Sequence, residues 1–159
     1  MISTEKTSVR LLFGMGEGNR EELEKDLPQE ACPLADTSCF FDPKSEVYAI
    51  DEKETGEKAG YLSLLFDEKN RSARLDVFIF PAMRCKGLAS DAAEAVVKSL
   101  FREKGINRVY ASHAVRNPAA GTVLRKIGMS YEGMSRESFY NASGYHDTHN
   151  YAVLKKDVL

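Results

Sequence analysis

The constraint that most narrows the fold lies between residues 71 and 105. Arg71 to Phe80 alternates, with Leu75, Val77 and Ile79 on one face and Asp76, Phe78 and Phe80 on the other, the period of a β-strand. Pro81 ends the run, and a tight basic stretch follows, Arg84-Cys85-Lys86-Gly87-Leu88-Ala89. Beyond it Leu88, Ala92, Ala95, Val96, Ser99 and Leu100 recur at helical spacing until Gly105. Strand, glycine turn and helix start build a cradle for an anion. The first amides of a helix lack internal partners and point along its axis, and the helix dipole adds positive charge at that end. Gly87 lets backbone approach a ligand closely, and Arg84 and Lys86 add full charges.

The rest of the chain supplies partners for this unit. Residues 8–13 read as a strand. Residues 20–27 read as a short helix capped by Asn19, and residues 28–45, with three prolines, as irregular. Val47 to Ile50, Ala59 to Phe66 and Arg71 to Phe80 are strands joined by short turns, an antiparallel meander. Arg108 to Ser112 follows the long helix at a distance that permits a parallel crossover. Asn117-Pro118 opens a second helix, with Asn as cap and Pro at the first helical position, and Gly128 ends it. Met129 to Phe139 and Tyr145 to Leu154 form a closing hairpin.

Composition excludes several classes. The chain has 159 residues and a net charge of −2, which gives no footprint for nonspecific nucleic-acid binding. No apolar run reaches the length of a membrane span, and the polar start does not resemble a signal peptide. Three cysteines at unrelated spacings make neither a metal site nor a disulfide framework, so a single cytoplasmic domain is expected. Charge is uneven. Residues 1–60 carry 14 acidic and 7 basic side chains, and residues 61–159 carry 10 and 15. The acidic part could draw a cation, while the basic part contains the cradle. Neither a G-x-G-x-x-G dinucleotide pattern nor a phosphate-binding G-x-x-x-x-G-K-S/T motif is present.

Three separated motifs, in order, carry a resemblance. They are Pro81 to Ala89, Asn117-Pro118-Ala119-Ala120-Gly121 through Met129, and Tyr131-Glu132-Gly133 followed by Gly144-Tyr145-His146-Asp147. Together they resemble the GNAT superfamily of N-acetyltransferases, closest to its branch of ribosomal-protein alanine N-acetyltransferase-like proteins, over about residues 46–155. The resemblance implies the α/β (α+β) GNAT acyl-CoA N-acyltransferase fold, with a mixed, mostly antiparallel central sheet flanked by helices. It implies acetyl-CoA as co-substrate, no metal, an amine acceptor and direct transfer, and it allows a homodimer. Arg84, Cys85, Lys86, Gly87, Leu88 and Ala89 would donate amides to the pyrophosphate. The backbone of Val77, Phe78 and Ile79 would bond the pantetheine arm and thioester carbonyl, and Asn117 would both cap its helix and bond pantetheine.

The chain departs from its relatives around the chemistry. Arg74 stands where the third strand often has Glu, Ala120 where Ser is frequent, and Leu124 where other branches have a Tyr acid. An amine must be neutral to attack, and a carboxylate is the usual base. Asp76, two residues from Arg74 on the same face, is the base candidate. His113 is a second, and Glu132, beside Tyr131, can line the acceptor cleft. A thiolate leaving group can depart without a side-chain acid. A CoA-binding sensor or interaction module of weak activity is the alternative function, and turnover separates the two.

Overall fold

The structure, a computed structural model, describes residues 1–14, 20–27 and 35–159. Its elements in chain order are β1 (Ile2–Ser3), β2 (Thr7–Phe13), α1 (Glu21–Asp26), α2 (Ser38–Phe41), β3 (Ser45–Glu52), β4 (Lys58–Asp67) and β5 (Ser72–Ile79). A 3-10 turn (Pro81–Met83) leads to α3 (Leu88–Glu103), β6 (Arg108–Ala114), α4 (Pro118–Lys126), β7 (Ser130–Asn141), β8 (Gly144–Leu154) and α5 (Lys155–Val158). The strands make one eight-stranded sheet in the order β1-β2-β3-β4-β5-β6-β8-β7. Among the described residues only β5 and β6 pair in parallel, and α3 is their crossover. The mixed, mostly antiparallel α/β sheet expected from the sequence is present, with its β3-β4-β5 meander.

Sheet alternation divides the core. Leu75 and Ile79 of β5 join Leu88, Ala92, Ala93, Val96, Val97, Leu100 and Phe101 of α3, so one side of the sheet is sealed by a helical stripe. Phe78 of β5 turns the other way, into a smaller cluster with Leu23, Leu27, Phe40, Val47 and Tyr61. That second face is covered by α1 and α2. Residues 35–45 are therefore not wholly irregular, because Cys39 and Phe40 are buried and anchor a helical turn. The expected cap Asn19 and residues 28–34 lie outside the described residues.

At Gly60 of β4 two backbones approach closely. A Cβ there would lie 2.0 Å from the Phe78 carbonyl oxygen, so only glycine lets β4 pair with β5 at Ile79. Among the described residues no helix is long and apolar enough to cross a membrane.

Candidate active site

The ladder between β5 and β6 is short. It pairs Ser72 with Arg108, Ala73 with Val109 and Arg74 with Tyr110, and then stops. β5 continues along β4 as far as Ile79↔Gly60, while β6 continues along β8 as far as Ala114↔Thr148. The two parallel strands therefore part beyond Arg74, and β5 is left with an open edge over Val77, Phe78 and Ile79. Backbone groups on such an edge need partners. One is supplied locally, since Arg84 Nε donates to the Ile79 carbonyl oxygen at 3.0 Å.

A cavity of about 620 Å³ occupies the gap. Its wall contains Leu75, Val77, Ala111 and His113, whose side chains lie on the α3–α4 face. It also contains Arg74, Asp76, Tyr110 and Ser112, which alternate onto the other face. The cavity thus passes through the sheet where the strands separate. On one face its lining comes from α3 and α4, and on the other from Asp36 and Thr37 just before α2.

The turn expected from the sequence to cradle an anion lies at the start of α3. Both Cys85 (φ 64°) and Gly87 (φ 77°) are left-handed, a turn that gathers backbone N–H groups into an anion-binding concavity. Gly87 holds the N-cap position, and no side chain caps the helix. The charged side chains around it differ from those the sequence suggests. Lys86 Nζ is 3.2 Å from Glu52, and the Arg84 guanidinium lies over the Phe78 ring. Two cations from elsewhere in the chain approach Gly87, Lys6 and Lys126, whose Nζ atoms would lie 3.2 and 3.9 Å from a Cβ placed there. The backbone that carries Lys6 is anchored on both sides, because Thr7 Oγ1 donates to Asp91 in the first turn of α3 at 2.7 Å and the Thr4 hydroxyl bonds the same carboxylate. Neither lysine is visible from motif spacing, since both arrive from elements distant in sequence.

Asn117 occupies the N-cap position of α4 but makes no side-chain capping bond, a correction to the expected cap. Its side chain lines the cavity instead. Ala120 and Leu124 line the same wall, so α4 presents no hydroxyl at those two positions.

The three base candidates occupy different settings. Asp76 lines the cavity on the α2 face, its side chain 11% exposed, with Oδ2 3.0 Å from Arg74 Nε. That contact lacks hydrogen-bond geometry, and Asp76 Oδ2 has no other partner. Burial pushes its carboxyl up from the ordinary range, against the pull of Arg74 and with the repulsion of Asp36. His113 lies on the α4 face. Its Nδ1–H donates to the Ala114 carbonyl oxygen at 2.7 Å, which leaves Nε2 as a bare acceptor. Burial lowers its pKa, so the ring is neutral near pH 7. Glu132 is exposed and closed by a two-point pair with Arg108, one contact at 2.9 Å, and that pair holds its carboxyl below the ordinary range. Asp76 alone combines a place on the cavity wall, a free lone pair and an upward shift. Cys85 is exposed, and Cys39, buried beside Asp76, has its thiol pushed up to about 12 by burial and the neighbouring carboxylate. Among the described residues no group of three or more His, Cys, Asp or Glu could hold a metal ion.

Strands β5 and β6 split apart and α3 starts on a left-handed glycine. Residues 19–130 match the acetyltransferase (GNAT) domain family, and the chain belongs to it. It is 31% identical over 103 residues to the Bacillus subtilis (strain 168) protein named "Putative ribosomal N-acetyltransferase YdaF", covering 64% of this chain and 56% of that protein. It is 28% identical over 105 residues to spermidine N(1)-acetyltransferase of Escherichia coli (strain K12), covering 65% of this chain and 56% of the relative. The chain thus spans little more than half the length of these curated relatives. The fold matches spermidine N-acetyltransferase from Vibrio cholerae, solved with CoA and spermine, at a TM-score of 0.77 and 17% identity, over 97% of this chain and 98% of that one.

Proposed function

We propose that the protein transfers acetyl from acetyl-CoA to a primary amine, either a peptide α-amino group or a small amine. The observation that supports this reading is the cavity through the sheet, whose wall reaches Ala89 at the start of α3 on one face and Asp36 and Asp76 on the other. The cradle amides from Arg84 to Ala89, with Lys6 and Lys126, would hold the pyrophosphate. The open edge at Val77, Phe78 and Ile79, together with Asn117, would hold the pantetheine arm in the gap. The amine would enter from the side of Asp36 and Asp76. Its nitrogen lone pair attacks the thioester carbonyl carbon, the C–N bond forms, and the C–S electron pair leaves on sulfur. The proton lost by nitrogen passes to Asp76, whose free Oδ2 and raised proton affinity suit a base.

The acceptor class follows from charge and from relatives. Arg74 with Asp36 and Asp76 leaves one net negative charge on the acceptor wall, and Arg108 with Glu132 leaves none. Curated relatives are named for ribosomal and spermidine substrates. Steering of a cation is screened over about 8 Å at physiological salt. The test is a panel of α-amine peptides, polyamines, amino acids and alcohols with acetyl-CoA at two ionic strengths. KM for cationic amines is expected to rise with salt while that for neutral amines stays level. Turnover confined to alcohols or anionic amines would overturn the acceptor assignment.

The alternative of a weakly active CoA-binding module draws on Ala120 and Leu124, which leave α4 without a hydroxyl on the cavity wall. It predicts CoA binding without amine turnover in the same panel.

A further inference from the structure

We infer that Asp36 is a positioning residue for the proton acceptor: it holds Arg74 between two carboxylates and so keeps Asp76 Oδ2 without a hydrogen bond from Arg74. The inference rests on reading Asp76 as the base. Asp36 is fixed from its own segment. Its Oδ1 accepts the Ser38 backbone N–H at 3.1 Å and the Ser38 hydroxyl at 2.6 Å. Its Oδ2 accepts Arg74 Nη2 at 3.1 Å.

That last bond decides how Arg74 sits on Asp76. An unhindered arginine meets a carboxylate through two parallel hydrogen bonds. Here Nη2 is shared, 3.1 Å from Asp36 and 3.3 Å from Asp76 Oδ1. The Nε contact to Asp76 Oδ2 lacks hydrogen-bond geometry, and both atoms are buried without another partner. Asp76 is therefore neutralised only in part and keeps one oxygen for a proton. All three side chains line the same cavity, where the amine must come.

The surroundings push the two carboxyls apart. Burial alone would raise Asp36, but the Ser38 bonds and the Arg74 charge outweigh it and hold the group below its ordinary range. Burial raises Asp76, with Arg74 opposing and Asp36 adding. Two carboxyls driven in opposite directions mark a division between a fixed anion and a proton carrier. Among the other groups facing Asp76, the Cys39 thiol from α2 is neutral and its hydrogen bond lowers the carboxyl in part, Tyr110 lines the wall from β6, and the Arg108–Glu132 pair is self-compensated.

The measurement is a carboxyl-carbon NMR titration, with the Asp76 signal identified by its loss in Asp76→Asn, alongside the pH dependence of kcat/KM. Asp36→Asn keeps an oxygen for Ser38 but frees Arg74 to close on Asp76. The Asp76 midpoint and the acid limb are expected to fall together by about one pH unit or more, the size of an opposite charge's effect. Asp36→Glu, which keeps the charge, should return both toward the parent. If Asp36→Asn does not fold, Arg74→Gln carries the test with opposite sign, and the Asp76 midpoint should rise. A folded Asp36→Asn, or in its place a folded Arg74→Gln, with an unmoved Asp76 midpoint overturns the inference even if amines are still acetylated. A midpoint that moves in a protein that acetylates no amine would instead overturn the reading of the site on which the inference rests.

Discussion

Two substitutions at Gly87 separate the backbone from the ligand. Gly87 sits at φ 77°, where a side chain costs about 1–2 kcal/mol. A Cβ there meets only the ends of Lys6 and Lys126, at 3.2 and 3.9 Å, and these flexible chains can step aside. Gly87→Ala should therefore lose about 1–2 kcal/mol of stability, which is roughly 2–8 °C in Tm for a chain of this size. Gly87→Glu carries the same backbone cost and adds a carboxylate. At 5 Å from one phosphate charge and an effective dielectric of 20, the repulsion is roughly 3 kcal/mol before salt screening. The new carboxylate would also occupy the two lysines. CoA affinity should fall more than tenfold below that of Gly87→Ala, about 1.4 kcal/mol. Thermal unfolding gives the first quantity and titration calorimetry with CoA the second. If the folded Glu variant binds CoA as tightly as the Ala variant, the pyrophosphate is not at Gly87 and the cradle reasoning fails.

Other outcomes follow from the same geometry. Asp76→Asn should slow acetyl transfer by about 10²-fold, with partial recovery at high pH where the amine is already neutral; an unchanged pH–rate profile would move the base role to His113, Glu132 or solvent. Gly60→Ala would place a Cβ 2.0 Å from the Phe78 carbonyl oxygen. Overpacking and a disturbed buried carbonyl outweigh the small gain from removing glycine, for a net loss of roughly 2–4 kcal/mol in urea unfolding; a variant as stable as the parent would contradict the close approach. His113 has a folded pKa below its unfolded value of about 6.5. The unfolded chain then binds the extra proton more readily, so stability should fall as pH drops below about 6.5. His113→Gln should flatten that segment of the curve, and an equally steep curve would remove His113 as its source.

How far the sequence could be read depends on the range of the forces involved. Alternation placed Asp76 and Arg74 on one face of β5, and Gly87 before an amphipathic pattern marked the start of α3, because both signals are local. The early end of the β5–β6 ladder at Arg74↔Tyr110 has no local signal. It comes from β6 following β8 while β5 follows β4, a competition between neighbours distant in the chain. Lys6 and Lys126 reach Gly87 for the same reason. Asp36 lies in a proline-bearing stretch with no periodic pattern, and its role is apparent only once Phe40 and Cys39 bury α2 against the sheet. The Asn117-Pro118 pair marked the start of α4 correctly, yet the Asn side chain leaves the cap and faces the cavity, a choice that helix propensity does not encode.

Product stoichiometry is the most direct test of the central claim. The parent protein and Gly87→Glu would each be mixed with acetyl-CoA and the best amine of the panel, with free CoA thiol and acetylated amine counted in the same sample. The expected result for the parent is one acetylated amine per thiol released, with both signals falling sharply in Gly87→Glu when acetyl-CoA is held below its KM. Thiol release without acetylated amine, or CoA binding by the folded parent with neither product, would contradict acetyl transfer to an amine as the function of this site.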